Sequence, residues 1–379
     1  MYKILKILFL FTFLFISCDI HNSHFNESWF EVKETTNVKD FRYKNQALIC
    51  VIEEDNGSIL FKNNDVFHFS SIKEKTSVQF NNLEIILIPE KPFCIITYDD
   101  APALDYDIYM IHKLYTPTVP AEIGIILSGF GLDKERLLEM CIDDNWEVVH
   151  HSYSHTRFER LRLQKEYKKG ENKIYGWFVH TFMDNNEIMI DDDIYIIQSH
   201  SSDNQGQYFV IEPNLIRDYS NLSMIQLSDS QLKKEFTENL KNFENETNIK
   251  INHFTWPYTV SDKRSQSFVS EFFSSARAYN GLNTDGTNNI YDGGLNFYPF
   301  ENRFTLNSAN YIQYYSEDEI LKMIAKAKDN KAVMIQFAHT WDSNFSISKL
   351  IFFIDNLKKA GIDIITRSTL FDYYELWEK

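Results

Sequence analysis

Phe93-Cys94-Ile95-Ile96-Thr97-Tyr98-Asp99-Asp100 is the stretch on which the fold turns. A short continuous apolar run of this kind reads as a buried strand. Two adjacent carboxylates at its C-terminal end are costly there unless they are paired or bind a metal. Outward from this strand the pattern repeats. Ile123–Leu127, Trp146–Val149, Ile251–Trp256, Lys331–Phe337 and Ile362–Thr366 read as further strands. Helical stretches fall between them. Asp133 caps one that carries Leu137, Leu138 and Cys141. Ser228–Asn248 reads as a single helix, with Leu232, Phe236, Leu240 and Phe243 on one face. Ser316-Glu317-Asp318-Glu319 is a capping box ahead of Ile320, Met323 and Ile324. The last helix places Leu350, Ile354 and Leu357 together and stops at Gly361. Repeated strand–helix alternation predicts an α/β fold with parallel strands, either a barrel or an open sheet.

Two regions break the alternation. Residues 161–227 hold three extended runs, Ile174–Phe182, Ile188–Gln198 and Gln207–Glu212, separated by turn signals. They predict a β-rich insertion. Residues 46–90 contain short apolar runs, among them Ala47–Ile52, Ser58–Phe61 and Leu83–Ile88. Asp55-Asn56-Gly57-Ser58 between the first two is a hairpin signal. A small β-rich N-terminal module is expected there, ahead of a main domain over 91–379.

Four features arrive at strand ends, where α/β barrels gather their catalytic residues. They are Thr97-Tyr98-Asp99-Asp100, His151-Ser152-Tyr153-Ser154-His155, Phe254-Thr255-Trp256-Pro257-Tyr258 and Gln336-Phe337-Ala338-His339. Histidines four apart would share one face of a helical turn and could share a metal. Each feature alone is weak, since Asp-Asp is usually a solvated turn and a lone His is usually structural. Their order and spacing are more specific.

Together these motifs resemble the polysaccharide deacetylase family, the NodB-homology domain of carbohydrate esterase family 4. Thr97-Tyr98-Asp99-Asp100-Ala101 is similar to its Thr-Phe-Asp-Asp-Gly motif, and His151 to His155 to its His-Ser/Thr-x-x-His motif. Phe254 to Tyr258 matches a Phe-x-Tyr-Pro-Tyr form of the third motif, and Phe337-Ala338-His339 a late Leu-x-x-His motif. Ile365-Thr366-Arg367-Ser368-Thr369-Leu370 resembles its closing strand end. The resemblance spans Lys91 to about Tyr374 without the insertion. It implies a distorted (β/α) barrel and a divalent metal, usually zinc, held by Asp100, His151 and His155. It implies Asp99 as general base, His339 as the acid for the leaving amine, and the Tyr258 backbone N–H as an oxyanion donor. Trp256 and Pro257 would lie beside the substrate. The substrate would be an N-acetylated glycan.

The chain departs from the pattern in three places. Ala101 stands where the family has Gly. Thr255-Trp256 stand where many members carry an Arg that orients the base. The Asp-bearing fourth motif is not clear; Asp292 and Arg303 are weak candidates. Two other readings therefore stand beside the deacetylase: a non-catalytic glycan-binding or structural lipoprotein, and another metal hydrolase such as a phosphoesterase.

The N-terminus pairs basic Lys3 and Lys6 with an apolar run, Ile7–Ile16, ending on Ser17-Cys18. That run is shorter than the ~20 residues that span a bilayer. It reads as a signal peptide over 1–17. Its end resembles a bacterial lipoprotein signal, with Cys18 lipidated and 18–45 a polar tether. An exported, membrane-anchored envelope protein is expected. The remaining Cys50, Cys94 and Cys141 read as buried inert thiols. The 38 Lys+Arg against 54 Asp+Glu give a net charge of −16. That balance argues against a non-specific nucleic-acid binder, which needs a basic face. It suits a neutral or cationic glycan better than a strongly anionic one.

Overall fold

The structure, a computed structural model, describes residues 31–44, 47–278 and 294–377. The signal segment 1–17, Cys18 and Asp292 lie outside the described residues. The chain divides into two compact units, 1–89 and 90–379. Among the described residues no helix is long and apolar enough to cross a membrane.

The first unit is all β: β1 (Val32–Thr36), β2 (Val38–Lys44), β3 (Ala47–Ile52), β4 (Gly57–Phe61), β5 (Val66–Phe69), β6 (Thr76–Phe80) and β7 (Leu83–Pro89). They form two sheets, ordered β1-β4-β5 and β2-β3-β7-β6. Leu48, Cys50 and Ile52 pack with Ile59, Phe61, Leu83, Ile85 and Leu87 in one core. Two expectations are corrected here. Residues 32–44, read as tether, are strands; their side chains are mostly half-buried, so the apolar alternation is faint. Asp55–Ser58 does not close a hairpin. β3 pairs with β2 and β7, while β4 pairs with β1 and β5, so the turn passes the chain from one sheet to the other.

The second unit opens with β8 (Phe93–Tyr98), β9 (Glu122–Ile125) and β10 (Glu147–His150). The insertion follows as β11 (Leu161–Arg162), β12 (Lys173–Tyr175), β13 (Glu187–Ile190), β14 (Asp193–Asp203), β15 (Gly206–Glu212) and β16 (Met224–Leu227). The chain then continues through β17 (His253–Thr255), β18 (Ser275–Arg277), β19 (Leu295–Asn296), β20 (Val333–Ala338) and β21 (Asp363–Ile364). The main sheet runs β18-β17-β10-β9-β8-β20-β19, and β8 also pairs with β21. All these pairs are parallel except β19 with β20. Leu306 bridges Arg277 of β18, and Ala309 bridges Gln336 of β20, both in parallel. Segment 306–309 thus touches both β18 and β20 of the curled sheet, and the C-terminal ends of β8, β10, β17, β18 and β20 collect on one face.

Capping follows the sequence. Asp133 accepts from the Arg136 N–H, Ser316 and Glu319 form a reciprocal capping box, and Gly361 takes the left-handed conformation at φ 73°. The helix read over 228–248 is two helices, Asp229–Thr237 and Leu240–Thr247, because Asn239 turns left-handed at φ 60°. Leu232 and Phe236 are buried, whereas Leu240 and Phe243 are only partly so. The insertion is a sheet of order β11-β16-β13-β14-β15-β12. The run Ile188–Gln198 is a hairpin turned at Asp191-Asp192, and Ile174–Phe182 is strand only to Tyr175 before a 3-10 turn at Val179–Thr181. Cys50 and Cys94 are buried and Cys141 half-buried, all unpaired.

Candidate metal centre

Asp99 and Asp100 follow β8 directly. The Asp99 N–H bonds to Ala338 O at 3.0 Å, tying it to β20. The chain then turns sharply, with Asp100 at φ 74° and Ala101 at φ 45°. Left-handed backbone costs a non-glycine residue about 1–2 kcal/mol. Gly131 and Leu132 both donate to Ala101 O, which holds the turn without the expected glycine.

Asp100 Oδ1 lies 3.4 Å from His151 Nε2 and 3.3 Å from His155 Nε2. It is buried and has no hydrogen-bond partner. Among the described residues, Asp100, His151 and His155 are the one group of three such side chains that could hold a metal, with ligand atoms within 4.8 Å of one another. The other carboxylate oxygen, Oδ2, accepts from Trp341 Nε1 at 3.0 Å. His151 Nδ1 is 2.9 Å from Thr255 O, which holds a proton on Nδ1 and aims Nε2 at Asp100. Burial, with His151 beside it, lowers the His155 pKa to about 4, so this ring is neutral at pH 7. Burial opposes the ionised form of Asp100, but the nearby imidazoles of His151, His155 and His339 hold it below the usual carboxylate range. An orphaned anionic oxygen facing imidazole nitrogens fits a divalent cation.

The histidine pair is not on a helical turn, as the spacing suggested. Residues 151–156 form a loop in which Ser152 (φ 67°) and His155 (φ 60°) are left-handed. Ser152 Oγ accepts from the His155 N–H at 2.8 Å. Buried Glu235, from helix Asp229–Thr237, accepts from the Ser154 N–H at 2.9 Å and from Ser154 Oγ at 2.7 Å. His150, next in sequence, faces away and packs on Phe254 and Phe273.

Asp99 is fully buried beside the cluster. Arg277 Nη2 donates to its Oδ1 at 2.7 Å and its Oδ2 at 2.5 Å. Burial alone would raise the Asp99 pKa, but the guanidinium lowers it below the usual value. Sequence reasoning missed Arg277. It lies opposite Thr255 in the β17–β18 register, one strand away from the place where an arginine was sought. Its one local signal is a charge inside the short run Ser275-Ala276-Arg277-Ala278. Trp341 and Glu235 were missed as well. Arg367 was quoted only as part of a motif. It forms a fully buried pair with Glu122 and donates to Phe254 O at 2.6 Å, pinning β17.

Tyr258, in the turn after β17, is left-handed at φ 54°, and its ring lies 4.9 Å from that of His155. Pro257 is buried behind it. His339 Nε2 is 3.9 Å from Asp100 Oδ2, and its ring lies 5.1 Å from Trp341. Thus Asp99, Asp100, His151, His155, Tyr258 and His339 do converge. Trp256 does not belong with them. It is wholly buried among Phe158, Phe236 and Phe254, with Nε1 donating to Phe304 O at 2.9 Å, so it is core rather than substrate surface. Arg303 is also excluded. It donates to Leu376 O at 3.1 Å and lies near His253, at the N-terminal start of β17.

No protein-family model matches the sequence, and no curated protein matches it. Among solved structures the chain is similar to the CE4 domain of a multidomain xylanase from the hindgut metagenome of Trinervitermes trinervoides. The identity is 13%, over 74% of this chain and 90% of that one, with a TM-score of 0.40. It is similar to a CE4-family pseudoenzyme from Bacillus anthracis at 13% identity, 92% of each chain and a TM-score of 0.42. The chitin deacetylase of Colletotrichum lindemuthianum matches at 13% identity, 75% and 88% coverage and a TM-score of 0.41. At these scores the chemistry of the site rests on its own geometry.

Proposed function

We propose that this chain is a metal-dependent hydrolase that removes N-acetyl groups from an N-acetylglucosamine-type polysaccharide of the envelope or extracellular space. One observation carries the reading: the partnerless buried Oδ1 of Asp100 faces two imidazole nitrogens, beside a second carboxylate held by Arg277. Asp100, His151 and His155 would hold the metal, with zinc the natural choice for this donor set. A bound divalent metal supplies a Lewis acid for the acetyl carbonyl and makes water more acidic.

The remaining work falls to side chains. Asp99, kept ionised by Arg277, takes the proton of the attacking water. The Tyr258 N–H donates to the carbonyl oxygen as it becomes negative. His339 protonates the leaving amine, giving acetate and a free amino sugar. The purely binding alternative drew on the missing third-motif arginine, and Arg277 offsets that argument. A lipid on Cys18 would place the enzyme at the envelope, next to such glycans.

The test measures bound metal, then acetate release from N-acetylglucosamine oligomers, for wild type, Asp99→Asn and His155→Ala. The reading expects metal in wild type and in Asp99→Asn, and acetate from wild type alone. Wild type that binds no metal, or that binds metal but releases no acetate from any N-acetylated glycan, would sink it.

A further inference from the structure

The insertion does more than lengthen the chain. Between its β14–β15 hairpin, its 3-10 turn and the loop carrying the two histidines lies a cleft of about 810 Å³. That volume is within the range of small-molecule sites. Ser154, which lies between His151 and His155 in sequence, forms part of its wall. A chain of rings joins cleft and cluster: His155 lies 4.9 Å from Tyr258, and Tyr258 lies 6.5 Å from His180, which lines the cleft. The lining is mixed. Ser202 and Gln207 offer hydroxyl and amide groups, while Met183 and the buried ring of Phe182 supply the apolar side of the lining. His200 is held in place, with Nδ1 at 2.5 Å from Asp184 Oδ1 and Nε2 at 3.0 Å from Val179 O.

Hydroxyl and amide groups around an apolar floor suit a sugar ring, which is polar at its edge and apolar on its faces. We propose that this cleft is a saccharide subsite, contributed by the insertion, which binds a neighbouring residue of the same polymer whose N-acetyl group lies at the Asp100–His151–His155 cluster. The identity of the ligand rests on the deacetylase reading; the cleft itself does not. The subsite makes binding depend on oligomer length, since a short oligomer at the cluster leaves the cleft empty.

The experiment reads binding separately from turnover. Dissociation constants for N-acetylglucosamine oligomers, from dimer to hexamer, are measured by calorimetry on the full chain. Three proteins are compared: wild type, Ser202→Trp, which enters the cleft from an exposed strand position on the His200 face of the hairpin, and Glu212→Trp, an exposed position on β15 outside the lining. The expected result is tighter binding of hexamer than dimer by wild type, and hexamer binding weakened about tenfold or more by Ser202→Trp only. Circular dichroism and thermal melting confirm that both variants are folded. Length-dependent binding lost in Ser202→Trp supports the cleft even where no acetate is released, a result that would count against the deacetylase reading alone. Binding by Ser202→Trp equal to wild type, equal weakening by Glu212→Trp, or no oligomer binding at all overturns the cleft even where acetate is released.

Discussion

Replacing Arg277 by methionine should damage both stability and the proposed base. The Arg277–Asp99 pair is nearly sealed from solvent, with side-chain exposures of 0% and 2%. Methionine keeps much of the volume against Phe337, whose ring lies 4.8 Å from the guanidinium carbon. It leaves the carboxylate buried without its counter-charge. Breaking a buried pair from one side costs about 3–5 kcal/mol, whereas replacing both charges by neutral groups is often near neutral. The double variant Asp99→Asn/Arg277→Met should therefore regain most of the loss. The non-additivity should be about 2 kcal/mol or more. Urea denaturation at pH 7, following the 90–379 unit, measures all four corners of the cycle. Metal stoichiometry should be unchanged in Arg277→Met, because Arg277 touches none of the three ligands. Acetate release should fall by about 10²–10⁴, the contribution of a positioned general base. Its acid limb should move to higher pH, since burial then raises the Asp99 pKa against only the weaker pull of His151 and His339. A coupling energy below about 1 kcal/mol would refute the claim that the two charges depend on each other. An acid limb that stays in place would refute the claim that Arg277 sets the ionisation of Asp99.

Further outcomes follow from neighbouring groups. Burial, reinforced by the charges of Asp99 and Asp100 and opposed by the Thr340 hydrogen bond, pushes the Asp105 pKa up from 3.8 to about 8. The folded state therefore holds a proton that the unfolded chain releases, and stability falls as pH rises from about 4 to about 8. Asp105→Asn, which can still accept from Thr340, should remove that slope and stabilise the chain at pH 8 by on the order of a few kcal/mol. Denaturation at pH 5 and pH 8 checks it, and an unchanged slope would refute it. Glu235→Ala should weaken metal binding about 10–100-fold with all three ligands intact, because the Ser154 N–H and hydroxyl lose their acceptor; competition with a metallochromic chelator reads this. Chelator should lower the thermal midpoint of wild type and leave that of His155→Ala unmoved. Re-added zinc should restore only the former.

What the sequence discloses depends on how far apart the cooperating residues lie along the chain. The apolar run Phe93–Tyr98 and the capping signals at Asp133, Ser316 and Gly361 act within a few residues, and each forms as read. The Asp-Asp and His-x-x-x-His motifs are local too, so their meeting could be inferred. The conformation between the histidines could not, because a left-handed Ser152 and His155 are held by Glu235, 81 residues from Ser154. Asn239 carried a local hint, since asparagine tolerates the left-handed turn that splits the helix. The strands of the first unit illustrate a different loss: Ala47–Ile52 and Ser58–Phe61 read as strands, but a strand pattern does not name its partner.

Arg277 is the sharpest case. It lies 178 residues from Asp99, and only the parallel register of β17 with β18 sets it opposite Thr255. A buried base beside a metal cluster needs a counter-charge to remain ionised, and the physics does not specify which strand provides it. Neighbouring strand ends of a curled parallel sheet present side chains to the same small volume. A guanidinium can therefore be exchanged between adjacent strands while the Asp99 environment is preserved. The absence of an arginine from Phe254–Tyr258 is thus not by itself a sign of a lost reaction. It shifts the question to whether any guanidinium reaches Asp99, and Arg277 Nη2 does so at 2.7 and 2.5 Å.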